Sequence, residues 1–290
     1  MHARSVAATT IALLGFALFA PVPRVSAAGA PAHPLVVAHR GASAYAPENT
    51  LPAIDRAAAL GIPWVENDVQ RTRDGELVVV HDAGLRRTTD AERVFPGRAP
   101  WRVKDLTAAE IARLDAGSWF GPAYAGTRVP TLRQYLRRVE HNHQKLLLEI
   151  KNPELYPGIE RQTLQLLGDE GWLDRSHRAG RLIVQSFSAG SVRTVHALRP
   201  GVRTAFLGRP AAKDLTAYAG FADLINPSHS GLTDAYVTGV HARRGPHGDP
   251  MRVFTWTVDD APGARTVAGL GVDGIITDRP DVVCRALDSA

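Results

Sequence analysis

Residues 64–82 read WVENDVQRTRDGELVVVHD. Two β-rich runs, 64–70 and 77–82, flank a short polar link that holds Asp74-Gly75. A link this short forbids a parallel crossover and demands an antiparallel hairpin. With the turn centred there, position 72 opposes 77, 70 opposes 79 and 68 opposes 81. Cross-strand partners share a face, as do residues two apart on one strand. That register predicts Glu66, Asp68 and His81 on one side of the hairpin, an arrangement that a one-residue slip would undo.

Outside the hairpin the pattern changes. Apolar runs at 35–39, 64–70, 146–150, 182–186, 203–207, 223–226, 252–257 and 274–277 alternate with Ala/Leu/Arg-rich helical stretches. This alternation makes an α/β protein with a parallel sheet, and eight such runs are the count that closes a TIM (β/α)8 barrel. Helices are expected over 51–60, 132–139, 159–167, 191–198 and 262–270, the first capped by Thr50 and stopped by Gly61. Residues 83–128, rich in Arg, Gly and Pro with a helix at 107–114, read as a small inserted cap over the mouth of a barrel spanning 35–290.

A chain of 290 residues that is 44% hydrophobic and 22% charged is not disordered by default. The single cysteine, Cys284, excludes an internal disulfide and a Cys-rich zinc site. Residues 1–27, MHARSVAATTIALLGFALFAPVPRVSA, combine a basic start at Arg4, an apolar run over 10–20 and the small-x-small site Val25-Ser26-Ala27. That is a signal peptide pattern, followed by a short linker at 28–34. The apolar run is shorter than the ~20 residues a span needs, so the mature chain is expected to be secreted or extracytoplasmic, without an integral membrane span. An uncleaved anchor is the alternative. The leader carries two arginines and no acid, which leaves +3 of the net +5 on the remainder. So small an excess favours a small anionic substrate and does not imply nucleic acid. Nothing in the residues sets an oligomeric state.

Barrel enzymes work at the C-terminal ends of their strands. Those ends carry His39-Arg40, Glu66 and Asp68, His81-Asp82, and Glu149 with Lys151. Buried charges are costly unless paired or bound to metal. Glu66, Asp68 and Glu149 offer hard oxygen ligands suited to Ca²⁺ or Mg²⁺, the alternative being a plain ion-pair network. Arg40 and Lys151 are cations beside that site and suit a phosphate; for Lys151, simple pairing with Glu149 is disfavoured by crowding on one face. His39 and His81 form a natural acid–base pair. Phe187 and Trp256 are either an apolar wall for a carbon skeleton or a barrel plug. Glu48 and Asn49 reach the site from the first loop or merely cap the first helix. Asp82, on the opposite strand face from His81, is expected to support the turn or orient the imidazole from behind.

The blocks HRGASAYAPENT (39–50), ENDVQRTRDGELVVVHD (66–82), LLLEIK (146–151), VQSF (184–187), VFTWTVDD (253–260) and GVDGIITDRPD (271–281) together resemble the glycerophosphodiester phosphodiesterases. The resemblance implies a TIM barrel with His39 and His81 as general acid and base. It further implies a divalent metal on Glu66, Asp68 and Glu149, and phosphate contacts from Arg40 and Lys151. The implied reaction releases sn-glycerol 3-phosphate and an alcohol from substrates such as glycerophosphocholine or glycerophosphoethanolamine, by attack of water or of the neighbouring glycerol hydroxyl. The rivals are a phospholipase D-like or phosphatidylinositol-cleaving enzyme on a related barrel, and a non-catalytic barrel that holds phosphate ligands. An exposed apolar rim or disulfide-tied loops would favour the first, and a lost histidine or acid the second.

Overall fold

A computed structural model describes residue 2, residues 33–178 and residues 180–289. The leader expected over 1–27, His2 apart, and the start of the linker lie outside the described residues. Residues His33–Ala290 form one compact unit.

Among the described residues nine strands form one sheet: β1 (Leu35–Ala38), β2 (Trp64–Arg71), β3 (Leu77–Val79), β4 (Lys145–Ile150), β5 (Leu182–Ser186), β6 (Arg203–Leu207), β7 (Leu224–Asn226), β8 (Arg252–Thr255) and β9 (Gly274–Thr277). The order β1-β9-β8-β7-β6-β5-β4-β2 closes through a β1–β2 pairing, so eight parallel strands make the barrel. β3 alone is antiparallel and adds to the upper part of β2. The strand run expected to 257 ends at Thr255, and Trp256 makes only an isolated bridge with Ser228.

Helices lie between the strands because their apolar stripes need the outer sheet face. In the helix Leu51–Ala59, Ala53, Ile54 and Ala57 are buried, and Gly61 follows with φ +74°. Thr50 does not cap it: its hydroxyl donates to the Pro47 carbonyl at 2.6 Å. The helix Leu132–His141 opens on a reciprocal capping box between Thr131 and Gln134. Outward residues of the strands, such as Val65, Val69, Leu146 and Leu148, pack with these helices.

Two expectations change. The hairpin register is Val69 with Val79, Gln70 with Val78 and Arg71 with Leu77, one residue off the predicted pairing of Asp68 with His81. The insertion has a core of its own. Its Leu85, Trp101, Val103, Leu106, Ile111 and Leu114 form a core against Val78 and Val80, and the helix expected at 107–114 is only Ala108–Ile111. It packs beside β3 because that strand's outer face is what the barrel leaves uncovered.

Candidate active site

Each barrel strand sends one buried apolar residue to the axis: Val37, Trp64, Leu147, Ile183, Ala205, Leu224, Phe254 and Ile276. Gly274 belongs to this packing, since a Cβ there would come within 2.5 Å of the Phe254 ring. Two residues further along, period-two alternation puts His39, Glu66, Glu149, Gln185, Leu207, Asn226, Trp256 and Asp278 on the same face. One more step reaches Asp68, Lys151 and Phe187. The apolar layer plugs the barrel, and the polar layer above it forms the floor of the mouth.

The two imidazoles meet there because of β2. β1 pairs along β2 as far as Ala38 with Val65, while β3 descends the same edge until the Val80 amide donates to the Asp68 carbonyl at 2.9 Å. The two chains run towards each other and must both leave the sheet between these points. His39 and His81 lie just past each exit and line one cavity of about 90 Å³. His39 Nδ1 is 2.6 Å from Asp278 Oδ1, and His81 Nδ1 is 2.6 Å from Asp82 Oδ1. Each carboxylate thereby selects the tautomer with a protonated Nδ1 and leaves Nε2 as the free nitrogen.

Asp82 thus sits directly on His81, which strand alternation did not anticipate; neither residue is in a strand. Burial opposes its charge, but hydrogen bonds from Arg87 and His81 bring its carboxyl down to about 2. Arg87 also forks onto Glu48 at 2.7 and 2.8 Å, and Glu48 accepts from Arg40 Nη1 at 2.9 Å. Burial pulls the His81 imidazole below its ordinary value, an effect the nearby Asp68 charge only partly offsets.

Glu66, Asp68 and Glu149 are buried, and one oxygen of each lies within 4.8 Å of the others. Burial, then repulsion from Asp68 and Glu149, pushes Glu66 well above the carboxylate range. Burial and Asp68 push Glu149 up to about 8. Burial would raise Asp68 too, but the Arg40, His81 and Lys151 charges carry it below its usual value. Asn49 supports Asp68 twice, Nδ2 donating to Oδ2 at 2.8 Å and Oδ1 accepting the Asp68 amide at 3.2 Å. Asp68 Oδ1 is buried without a hydrogen-bond partner. Hard oxygens, an orphaned acceptor and two carboxyls with raised pKa fit a divalent cation of the Ca²⁺ or Mg²⁺ kind.

The basic residues sit among these acids. Arg40 has φ +54°, its amide donates to Glu66 Oε2 at 2.9 Å, and its Nε lies 3.4 Å from Asp68 Oδ2. The next residue, Gly41, has φ +82°, and a Cβ there would meet Ala53 at 2.6 Å, so the loop packs directly on the first helix. Lys151 Nζ is 2.9 Å from Glu149 Oε1, so the pairing that crowding disfavoured is present. Lys151 also lies 5.3 Å over the Phe187 ring. Phe187 and Trp256 form an edge-to-face pair at 5.7 Å that walls the cavity, and Phe187 is 51% exposed. Trp256 also packs against the apolar plug below, so for that residue wall and plug are one position.

Sequence reasoning missed four residues. Asp278 and Gln185 lie one alternation beyond buried Ile276 and Ile183, a signal available in the strand period. Gln70 continues the alternation of Glu66 and Asp68 along β2, whereas Arg87 comes from the irregular insertion and no local pattern marks it.

A cation binding here would compete with the protonation that burial and mutual repulsion favour at Glu66 and Glu149. The metal-free fold keeps a proton that the unfolded chain has lost, so its stability falls as pH rises from the ordinary glutamate range through about 8. The rise in Tm produced by a fixed Ca²⁺ concentration should therefore be larger at about pH 8 than at about pH 6 in differential scanning fluorimetry. A rise that is equal or reversed would contradict cation binding at these carboxylates.

A barrel that gathers acids and Asp-backed imidazoles above its plug, at the C-terminal strand ends, is an enzyme of the TIM-barrel class. The pattern of the glycerophosphoryl diester phosphodiesterase family matches residues 39–282. A glycerophosphodiester phosphodiesterase of Bacillus subtilis (strain 168) is 33% identical, with 97% of each chain aligned. One from Caldanaerobacter subterraneus subsp. tengcongensis is 34% identical over 86% of this chain and 96% of its own. Among solved structures, an Oleispira antarctica phosphodiesterase in complex with the product sn-glycerol-3-phosphate superposes with a TM-score of 0.76 at 28% identity, covering 88% of this chain and 97% of its own. The chain belongs to the glycerophosphoryl diester phosphodiesterase family, a family of hydrolases.

Proposed function

We propose that this enzyme hydrolyses soluble glycerophosphodiesters, glycerophosphocholine and glycerophosphoethanolamine among them, to sn-glycerol 3-phosphate and an alcohol, in a divalent-metal-dependent reaction. The observation that carries the reading is the meeting of two Asp-backed imidazoles with a buried acid triad around one small cavity. Of the two imidazoles, His81 is kept neutral by burial and takes the proton of the attacking hydroxyl through Nε2. His39, its Nδ1–H held by Asp278, acts in the imidazolium form and gives its Nε2 proton to the leaving alkoxide. Glu66, Asp68 and Glu149 would hold Ca²⁺ or Mg²⁺, whose charge offsets that of the phosphoryl oxygens. Lys151 and Arg40 add fixed positive charge on the same side, and the Phe187–Trp256 wall takes the glycerol carbons. The relative solved with sn-glycerol-3-phosphate supports the product side of this reading.

The test is a panel of glycerophosphocholine, glycerophosphoethanolamine and intact bilayer phospholipid, each with Ca²⁺, Mg²⁺ or EDTA, reading glycerol 3-phosphate and released headgroup. Turnover of the soluble diesters that EDTA removes is expected. Full activity after exhaustive chelation would overturn the metal role, and preference for bilayer lipid would favour the phospholipase-like alternative, to which exposed Phe187 lends its apolar surface. Export rests on the leader-like residues 1–27, and a secreted product that still begins at residue 1 would contradict cleavage.

A further inference from the structure

The hairpin register sets a problem that the fold has to solve. With Gln70 opposite Val78, an unbroken ladder would bring residue 81 opposite Asn67. Opposed residues share a face, and Asn67 alternates with Glu66 and Asp68, so that ladder would aim His81 at the helix layer and away from the mouth. The ladder instead stops after the Val80 amide bonds to the Asp68 carbonyl. From there the chain curls around a single side chain. Gln70, fully buried on β2, presents Nε2 to the carbonyls of Val80, His81 and Asp82 at 2.9, 3.0 and 2.7 Å. An amide has two N–H groups, so three acceptors share them, and three successive carbonyls can converge on one nitrogen only if the backbone turns. The Gln70 Oε1 accepts from the hydroxyl of buried Tyr156 at 2.9 Å, which sets which end of the amide faces the carbonyls.

We propose that Gln70, oriented by Tyr156, is a positioning residue that ends the hairpin ladder and turns His81 into the mouth. The inference rests on the role given to His81 above. Neither Gln70 nor Tyr156 lines the catalytic cavity. The pair acts through the backbone of 80–82, whereas Asp82 and Arg87 act on the ring.

The test compares Gln70→Leu, Tyr156→Phe, His81→Ala and the double variant Gln70→Leu/His81→Ala in the full mature chain, with glycerophosphocholine and Ca²⁺. Misplacing a catalytic group by about an ångström costs on the order of 10- to 100-fold. Gln70→Leu is expected to lose that much kcat with KM within about threefold, and Tyr156→Phe to lose about 3- to 10-fold. The Ca²⁺-induced rise in Tm should persist in both, because the acid triad is untouched. The double variant should be no slower than His81→Ala alone, since a group acting only through His81 has nothing left to position. A double variant well below His81→Ala, or a lost Ca²⁺ response, would assign Gln70 a general structural role and overturn the proposal. Gln70→Leu at wild-type rate beside an inactive His81→Ala would overturn this inference alone, whereas a fully active His81→Ala would strike the functional reading itself. Should Gln70→Leu fail to fold, Tyr156→Phe decides, and an unchanged kcat there counts against it.

Discussion

Replacing His81 by alanine should lower kcat by about 10²-fold or more, the usual scale for losing a general acid or base. The imidazole is suited to the task by three observations. Burial favours its neutral form, Asp82 occupies Nδ1, and the residue lines the cavity. The same substitution should leave the Ca²⁺-dependent rise in Tm intact, because His81 is not among the three grouped carboxylates. His39→Ala should behave alike, with its imidazole held from the other side by Asp278. Single-turnover assays with glycerophosphocholine separate chemistry from product release. A wild-type chemical step in His81→Ala would remove it from the reaction.

Asp68→Asn and Glu66→Gln should abolish turnover and weaken divalent cation binding by about 10²-fold or more, given that even groups behind metal ligands contribute 10- to 100-fold. Stability in EDTA should move differently. Burial and the neighbouring acids already favour the uncharged form of Glu66, so an isosteric neutral amide costs little there and still accepts the Arg40 amide. Glu66→Gln is therefore expected to keep or raise Tm in EDTA while losing the response to Ca²⁺. Titration calorimetry with Ca²⁺ and Mg²⁺, beside thermal melts, checks both halves. Undiminished cation affinity in Glu66→Gln would show that the triad is not the metal site, and a sharply lowered Tm in EDTA would show that the carboxylate is structural.

Arg87 links the insertion to the site, and Tyr124 ties it to the same first loop by donating to the Tyr45 carbonyl at 2.8 Å. Arg87 is half exposed, yet it ties Asp82 to Glu48 and so joins the His81 partner to the loop that follows β1. The insertion supplies this clamp and contributes no residue to the lining of the cavity. Its Leu85, Val103, Leu106, Ile111 and Leu114 pack against β3, while Trp119 stays 42% exposed.

Much of the site was legible along the chain because strand geometry is local. Alternation at period two carries Val37 to His39, Trp64 to Glu66, Leu147 to Glu149 and Phe254 to Trp256. Apolar runs bounded by helical stretches mark the strands, and the charge at their ends marks the mouth. The same rule extends from Ile276 to Asp278 and from Ile183 to Gln185, which were overlooked although the signal was present.

Local pattern determined the eight parallel strands, the hairpin and the identity of the acids and imidazoles, because each depends on side-chain alternation and turn length within a few residues. Tertiary structure alone decided the hairpin register and the direction in which His81 faces. Those depend on a buried Gln70 amide, a Tyr156 hydroxyl 86 residues away and the place where β1 and β3 run out along one edge of β2. The period of a strand states which residues share a face, but only the partners packed against it settle where that strand must stop.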